Sequence, residues 1–249
     1  MKDYTLKYGK GSVTFALDEA HVTELYGTPV PKIDDIRAAL YATLSSPVSH
    51  EPLESWVNPG DKVALIVSDM SRFWMRQDLV VPHIISYLTD KCDVNQNNIT
   101  IIIANGTHPG GDENELRTLV TDGVYDRIRV VNHDCQAKDL VYIGTTSLGT
   151  EVRINPIAAN ADKVIMLGAC TYHVMAGYGG GRKSILPGIS GLETIRQNHL
   201  HSLDLLAPRS NPLIGNGVTD GNPLNEDMCQ AAAMVKNLFG INLVTNADM

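Results

Sequence analysis

The amino-acid sequence predicts an α/β protein whose main sheet is parallel and carries helices on both faces. Short, continuously apolar segments rich in β-branched residues recur from residue 62 onward, and helical stretches separate several of them. Strands that are apolar at every position are typical of a sheet covered on both faces, and alternation with helices is typical of parallel pairing. Polar, glycine-rich segments follow three of these strands directly. Together these observations indicate a Rossmann-like sheet, preceded here by a β-hairpin.

The N-terminal β-hairpin is predicted from two short segments, Tyr4–Tyr8 and Ser12–Ala16, that flank the turn sequence Gly9-Lys-Gly11. A helix over Pro31–Tyr41 follows, because the apolar residues of this segment recur at helical spacing.

The main sheet and its helices are predicted from the residues that follow. The five strand candidates are Val63–Val67, Ile99–Ile103, Ile128–Val131, Val164–Leu167 and Ile241–Val244. The helix candidates are Leu79–Leu88, Asp112–Val120, Gly191–Leu205 and Asn225–Leu238. An extra hairpin, or a pair of edge strands, is predicted at Leu140–Ser147 and Glu151–Ile154.

With 249 residues the chain has the size of one large α/β domain or of one and a half ordinary ones, and 43% hydrophobic and 19% charged residues are typical of a globular protein. The formal net charge of −8 argues against a nucleic-acid partner, because a phosphate backbone needs a positive surface. The sequence contains no apolar signal core and no segment of membrane-spanning length. Its four cysteines form no C-x-x-C pair. We therefore expect a cytoplasmic enzyme or small-molecule binder with reduced thiols, without membrane or nucleic-acid partners.

The candidate site lies where polar segments leave the strands. Asp69 and Arg72 follow the first strand of the main sheet, His108 follows the second, and His173 follows the fourth. Ligands of doubly wound sheets bind in the crevice beyond the carboxyl ends of the strands. The sequence therefore predicts that these four side chains converge on one rim.

A glycine-rich loop, Ala176–Gly188, continues from His173. Clustered glycines let backbone N–H groups approach an anion, and Lys183 adds a point charge or a nucleophilic amine. The loop is not the phosphate-binding loop of nucleotide hydrolases, because that motif needs glycine where Arg182 stands. That motif also opens a helix, whereas Pro187 follows Lys183 within four residues.

His199 lies on the apolar face of the helix candidate Gly191–Leu205, together with Leu192 and Ile195. Taken alone it is more often a core histidine than a metal ligand, and the nearby loop and histidines move this balance towards the ligand. His201 is expected to face solvent. His133 is expected to be a turn histidine paired with Asp134 or a catalytic residue, and the remaining histidines, His21, His50 and His83, are expected to be structural or exposed.

The ordered set of Gly106-Thr-His108, His173, Gly179-Gly-Gly-Arg-Lys183-Ser-Ile-Leu-Pro-Gly188 and Asn198-His199 resembles the N-terminal domain of the nickel-dependent lactate racemase family. Members of that family use nickel in a nickel-pincer nucleotide, a pyridinium-3,5-bisthiocarboxylic acid mononucleotide. The resemblance extends over essentially the whole chain.

The resemblance implies a role for each matching residue. Lys183 matches the lysine that holds the cofactor covalently through a thioamide, and His199 matches the histidine that completes the nickel coordination. His108 and His173 match the acid/base pair, while Asp69 and Arg72 match the substrate-binding element. The loop residues expected to contact the cofactor are Gly179, Gly180, Gly181, Lys183 and Ser184.

The activity implied is that of an isomerase, a racemase or epimerase of 2-hydroxy acids that works by hydride transfer. One histidine removes the hydroxyl proton while the α-hydride moves to the cofactor, and hydride then returns to the opposite face of the planar keto acid. Two histidines suit this task because their pKa values lie near neutrality. Cofactor-maturation enzymes are implied as partners, so the domain made without them is expected to be empty.

The sequence departs from the family in two ways. The family has a further C-terminal domain, which is expected to be missing here, so the fragment alone is expected to be inactive. Phe73-Trp74-Met75-Arg76 follows Arg72 where lactate racemases tend to have a proline-rich continuation. A larger or more polar 2-hydroxy acid is therefore as plausible a substrate as lactate.

Two other functions remain open on the sequence. The glycine-rich loop also suits a non-catalytic phosphate- or nucleotide-binding module. A metal hydrolase that uses His108, His173 and His199 is the weakest alternative, because no His-Glu-x-x-His motif accompanies them.

Overall fold

The computed structural model describes residues 1–25, residue 28 and residues 30–245. They form two compact units, one that ends at residue 32 and one that starts at Ile33. The first unit contains two antiparallel strands, β1 (Lys2–Tyr8) and β2 (Gly11–Leu17), with Tyr8 opposite Gly11. Gly9 adopts φ +58 in the turn between them, a conformation that glycine reaches without steric cost. The predicted N-terminal hairpin is thus confirmed.

The second unit contains the other helices and strands. Its helices are α1 (Ile36–Ser45), α2 (Leu53–Trp56), α3 (Val81–Asp90), α4 (Glu113–Val120), α5 (Asp122–Tyr125), α6 (Pro156–Ala159), α7 (Leu192–Leu200) and α8 (Pro223–Ala233). Its strands are β3 (Val63–Ser68), β4 (Ile99–Ala104), β5 (Arg129–Asn132), β6 (Val141–Thr145), β7 (Glu151–Ile154), β8 (Lys163–Ala169), β9 (Tyr172–His173), β10 (Gly177–Tyr178), β11 (Leu203–Asp204), β12 (Arg209–Ser210) and β13 (Leu238–Leu243).

Five strands form the main sheet in the order β13-β8-β3-β4-β5, and every pair is parallel. Successive side chains of a strand point to opposite faces. Leu65 accordingly lies in one buried cluster and Ile66 in the other, and neither is exposed to solvent. Because both faces are buried, the three central strands β8, β3 and β4 are apolar at almost every position, which confirms the predicted fold class.

The strand order places a topological switch point between β3 and β8. From β3 the chain moves outward through β4 to β5, and it then crosses to the other side of β3 to form β8 and β13. The loops after β3 and β8 therefore leave in different directions and open a crevice between them. Asp69 and Ala169 stand at the two sides of this opening, since one follows β3 and the other ends β8.

Several predicted helix boundaries are wrong. The helix predicted over Pro31–Tyr41 begins at Ile36, because the Asp35 carboxylate accepts from the Ala38 N–H at 2.8 Å and caps the first turn. The helix predicted over Asn225–Leu238 ends at Ala233, and Leu238 already belongs to β13. The helix predicted over Gly191–Leu205 ends at Leu200. The predicted extra hairpin is confirmed as the antiparallel pair β6 and β7.

The four cysteines are free thiols, and Cys92 and Cys135 are buried. In the part of the chain that the structure describes, no helix is long and apolar enough to cross a membrane.

Candidate active site

A cavity of about 230 Å³ occupies the crevice at the switch point. The segments after β3, β4 and β8 line it, together with the glycine-rich loop and one face of α7. These segments bring together the residues that the sequence singled out: Asp69, Arg72, His108, His173, Gly179, Gly180, Lys183, Ser184 and His199. Gly181 does not line the cavity, and its N–H donates to Asn242 Oδ1 at 2.9 Å.

His108 and Asp69 form a close pair at one side of the cavity. The His108 Nδ1 atom lies 2.6 Å from Asp69 Oδ2. The other carboxylate oxygen accepts from the Ser71 hydroxyl at 2.7 Å, and Arg72 Nη1 donates to that hydroxyl at 2.9 Å. Both Asp69 oxygens are thus engaged by neighbouring side chains, while half of the His108 side chain is exposed.

His173 is held by the backbone that follows it. Its Nδ1 atom accepts the N–H groups of Met175 at 3.2 Å and Ala176 at 3.1 Å. Burial lowers the pKa of His173 to about 4, and the positive charges of Lys183 and Arg72 act in the same direction. The imidazole is therefore neutral at neutral pH.

Lys183 projects into the cavity from a single 3₁₀ turn, Gly181–Ser184. Burial, followed by the positive charges of Arg182 and Arg72, lowers the pKa of its amine from 10.5 to about 8. A lysine with a depressed pKa carries a larger fraction of free amine near neutrality, which is the form that attacks an electrophile.

The glycine-rich loop is braced from within and lies against the end of β8. The Arg182 guanidinium donates to Asn225 Oδ1 at 2.6 Å and to the carbonyl oxygens of Ala176 at 2.8 Å and Tyr178 at 3.1 Å. A Cβ atom on Gly168 would lie 2.9 Å from the Gly180 Cα atom, so the loop backbone packs directly on the strand. The sequence did not reveal this bracing, because the three acceptors meet only in the fold.

His199 presents one ring nitrogen to the cavity side of α7. Its Nδ1–H donates to the Ile195 carbonyl oxygen at 2.9 Å, which leaves the Nε2 lone pair free. Burial lowers the pKa of His199, which favours the neutral ring. A neutral imidazole fixed through its other nitrogen is the usual state of a metal-binding histidine. The donor chemistry of His199 therefore fits a metal ligand.

The described ranges contain no cluster of three His, Cys, Asp or Glu side chains that could hold a metal ion. The hydrolase that would use His108, His173 and His199 together thus lacks its metal site.

Two predictions about other histidines are wrong. His201 does not face solvent freely, because its side chain is 24% exposed and Nε2 lies 3.9 Å from Asp227 Oδ2. His133 does not pair with Asp134: it is buried, donates from Nε2 to the Ser190 carbonyl oxygen at 2.9 Å, and accepts from Asn155. These contacts join distant segments, and His133 is absent from the cavity lining.

Sequence reasoning missed several lining residues, among them Ser68, Asn105 and Thr171. Asn105 is buried, and its amide donates to Asn132 Oδ1 and the His133 carbonyl oxygen, each at 3.1 Å. It thereby anchors the segment that carries His108. The available signal was its position directly after a strand, where polar residues of doubly wound sheets face the crevice.

The fold and the site define a class of protein. A crevice at the switch point of a doubly wound sheet, lined by Arg72, Lys183 and three histidines, is typical of the ligand site of an α/β protein that binds a small molecule. Residues 8–209 match the sequence profile of the family described as the lactate racemase N-terminal domain. The chain belongs to this family.

Two curated relatives have the same name. The lactate racemase of Thermoanaerobacterium thermosaccharolyticum is 27% identical over 257 residues, which cover 100% of this chain and 57% of that protein. The lactate racemase of Lactiplantibacillus plantarum is 27% identical over 248 residues, which cover 98% of this chain and 56% of that protein. The chain thus spans somewhat more than half the length of these relatives.

Solved structures show the same fold. The lactate racemase apoprotein of T. thermosaccharolyticum superimposes with a TM-score of 0.84 at 26% identity, over 98% of this chain and 56% of that one. A Thermotoga maritima protein superimposes with a TM-score of 0.64 at 19% identity, over 86% of this chain and 51% of that one. The second likeness concerns the fold alone.

Proposed function

We propose that this chain is the cofactor-binding part of a racemase or epimerase of 2-hydroxy acids that uses a nickel-pincer nucleotide. The observation that carries the proposal is the convergence of Lys183, His199, His108 and His173 on one cavity in a member of the lactate racemase N-terminal domain family.

The residues of the cavity fit the cofactor in kind. Lys183 offers an amine with a lowered pKa for the covalent bond, and His199 offers the free Nε2 lone pair of a neutral imidazole for nickel. Gly179, Gly180 and Ser184 bring backbone and hydroxyl groups beside them. When bound, the nickel-pincer group supplies a reversible acceptor for hydride.

The other side chains bind the substrate and move its proton. Arg72 supplies a planar, two-pronged donor for the carboxylate of a 2-hydroxy acid. His108 and His173 both line the cavity, where they would hold or transfer the hydroxyl proton of a bound 2-hydroxy acid while its α-carbon becomes planar. In this proposal the protein supplies position and charge, and the cofactor supplies the hydride chemistry.

The proposed partner of this domain is a further domain, which corresponds to the part of the relatives that extends beyond the matched region. The curated lactate racemases extend well beyond the matched region, so a further domain is expected to complete the substrate pocket and this chain alone to have little or no turnover. Cofactor-maturation enzymes in the cytoplasm are the other proposed partners. Lactate and a larger or more polar 2-hydroxy acid both remain candidate substrates.

A non-catalytic phosphate- or nucleotide-binding module is the alternative. It is less well supported, because the Arg182 guanidinium and the Gly181 N–H, both suited to a phosphate, already bond within the fold. The two proposals differ in their response to His108→Ala, which would leave ligand binding by such a module unchanged but remove turnover by the racemase.

The test is the intact mass of the protein after expression together with the cofactor-maturation enzymes. We expect an added mass on the parent and on Lys138→Ala, an exposed lysine outside the cavity, and none on Lys183→Ala. The lactate racemase of L. plantarum, processed in parallel, is the positive control. The proposal fails if the control carries the group while neither this chain nor a longer product of the same gene does.

A further inference from the structure

His133 is a buried histidine that lies outside the cavity lining and has no part in the proposed function. It follows β5, and its backbone is bonded to the end of β4. The His133 N–H donates to the Ile103 carbonyl oxygen at 3.0 Å, and the His133 carbonyl oxygen accepts from the Asn105 amide at 3.1 Å. The backbone of His133 therefore holds the point from which the segment that carries His108 continues.

The imidazole of His133 reaches a different segment, the turn that follows Lys183. Its Nε2 atom lies 2.9 Å from the Ser190 carbonyl oxygen. Ser190 is itself bonded to that turn, because its hydroxyl donates to the Ile185 carbonyl oxygen at 2.7 Å and its N–H donates to the Pro187 carbonyl oxygen at 3.1 Å. His133 thus connects this turn with the end of β4.

The orientation of the Asn155 amide fixes the protonation of the His133 ring. Asn155 Oδ1 accepts from the Ile157 N–H at 2.9 Å, so Nδ2 is the atom that lies 3.3 Å from His133 Nδ1. This amide nitrogen can only donate, and the Ser190 carbonyl oxygen can only accept. The ring is therefore neutral, with its hydrogen on Nε2 and a lone pair on Nδ1. Burial, which lowers the pKa of His133, favours the same form.

The two segments also contact each other directly. The Gly106 N–H donates to the Gly188 carbonyl oxygen at 2.9 Å, and a Cβ on Gly106 would contact Pro187 at 3.6 Å. A hydrogen bond tolerates a range of angles, so a contact at one point leaves two segments free to tilt. The connection through His133 holds them at a second point and restricts that tilt.

We infer that His133 is a positioning residue, whose Nε2–H bond to Ser190 sets the position of Lys183 relative to His108. This inference rests on the function proposed above, in which Lys183 holds the cofactor and His108 moves a substrate proton. A misplacement of about 1 Å in such a site costs on the order of 10²-fold in rate. Loss of the ring would leave the buried Ser190 carbonyl oxygen without a donor, so the turn would shift or admit water.

Two substitutions of His133 separate the functions of its ring nitrogens. A glutamine amide reaches the position of a histidine Nε2 atom, so His133→Gln keeps a donor for Ser190 and loses the acceptor for Asn155. An asparagine amide reaches only the position of Nδ1, so His133→Asn keeps an acceptor for Asn155 and loses the donor for Ser190. His21→Asn, at a side chain that is 83% exposed, is the control for the substitution itself.

The first experiment needs no cofactor, because the Lys183 amine itself reports the position of the turn. Competitive acetylation across a range of pH gives the midpoint of the Lys183 reaction in each folded variant. We expect a midpoint of about 8 in the parent, His133→Gln and His21→Asn. In His133→Asn we expect a midpoint about one pH unit higher, because a shifted turn admits water to the amine. Equal midpoints in His133→Asn and the parent, or an equal rise in both His133 variants, overturn the inference.

The second measurement tests the inference even if His133→Asn does not fold. Nitrogen-15 NMR of the imidazole rings in the parent, assigned with His133→Gln, reports which nitrogen of His133 carries the hydrogen. We expect the hydrogen on Nε2. A ring without a hydrogen on Nε2 could not donate to Ser190, so this result overturns the inference whether or not the protein is a racemase.

The third measurement connects the inference with the proposed function through turnover by the cofactor-loaded, longest product of the gene. We expect His133→Asn to lower kcat roughly 10²-fold, and His133→Gln to stay within about a few-fold of the parent. Equal kcat values in the parent and both variants overturn the inference. A parent that turns over no 2-hydroxy acid, while the Lys183 midpoints differ as expected, supports the connection through His133 and counts against the proposed function.

Discussion

The protonation of Lys183 gives a direct measurement of the cavity environment. Burial, followed by the charges of Arg182 and Arg72, lowers the pKa of this amine from 10.5 to about 8. At neutral pH the fraction of free amine is then roughly 300 times that of an ordinary lysine. The experiment varies the pH, which titrates the Lys183 amine, and measures the rate at which this amine is acylated.

The expected rate enhancement is smaller than the gain in free amine. A less basic nucleophile is intrinsically less reactive, with an exponent of about 0.5 for thiols, which would reduce the advantage by roughly 20-fold. We therefore expect Lys183 to react roughly 20 times faster at neutral pH than an exposed lysine. Replacing Arg72 with Gln removes one positive charge, so it should raise the pKa of Lys183 and slow its reaction.

Competitive labelling with a trace of acetic anhydride, followed by peptide mass spectrometry, measures each lysine in one sample. Lys138 is the internal reference because it is exposed and lies outside the cavity. The decisive value is the midpoint of the pH dependence, since steric hindrance changes the rate at every pH but leaves the midpoint in place. A midpoint for Lys183 near 10.5, the ordinary value for a lysine amine, would refute the argument that burial depresses this pKa.

Three further predictions concern stability. The pKa of His173 is about 4 in the folded protein and 6.5 ordinarily, so the unfolded chain takes up the proton first and the free energy of unfolding falls as pH drops from 6.5 to 4. In urea denaturation, His173→Gln should lose about 1–2 kcal/mol less over this range than the parent, after allowance for solvent screening. An equal loss in the variant and the parent would contradict the low pKa of His173. Gly177→Ala should lower the free energy of unfolding by about 3 kcal/mol or more, because φ is +76 and the new Cβ would lie 2.3 Å from the Val218 carbonyl oxygen. The control Gly60→Ala, whose Cβ would enter open space, should leave the thermal midpoint unchanged. Asp227→Ala should lower the free energy of unfolding in denaturant by about 3–5 kcal/mol, because it removes the buried acceptor of the Thr146 and Thr150 hydroxyls and the Asn198 amide. A loss below about 1 kcal/mol would show that these hydrogen bonds are not needed for stability.

Much of the fold was predictable because the sheet is buried on both faces. A strand such as Val63–Ser68 has no polar position inside its apolar run, so its existence could be recognised without tertiary information. The convergence of Asp69, His108 and His173 was predictable for a related reason: parallel strands end at the same edge of a sheet, and polar residues that follow them share that edge.

Helix ends were less predictable because capping and tertiary contacts compete with periodicity. The apolar spacing of Pro31–Tyr41 suggested a helix from its first residue, but the Asp35 cap starts the helix at Ile36. In the same way, Leu238 continues the apolar pattern of α8 yet pairs with Val164 of β8. A local pattern cannot tell whether an apolar residue is buried against a helix or within a sheet.

The sequence by itself determined the existence of the main strands and helices, the family resemblance and the cavity positions of Asp69, Arg72, His108, His173, Lys183 and His199. Only the tertiary structure decided the strand order, the hydrogen bond from Arg182 to Asn225 that holds the loop, the burial of His133 and the hydrogen bonds that orient the rings of His108 and His173. Each of these depends on partners far apart in the chain, or on the direction in which a ring nitrogen points. Hydrogen bonds act over about 3 Å, so their partners become known only when the fold brings the atoms together.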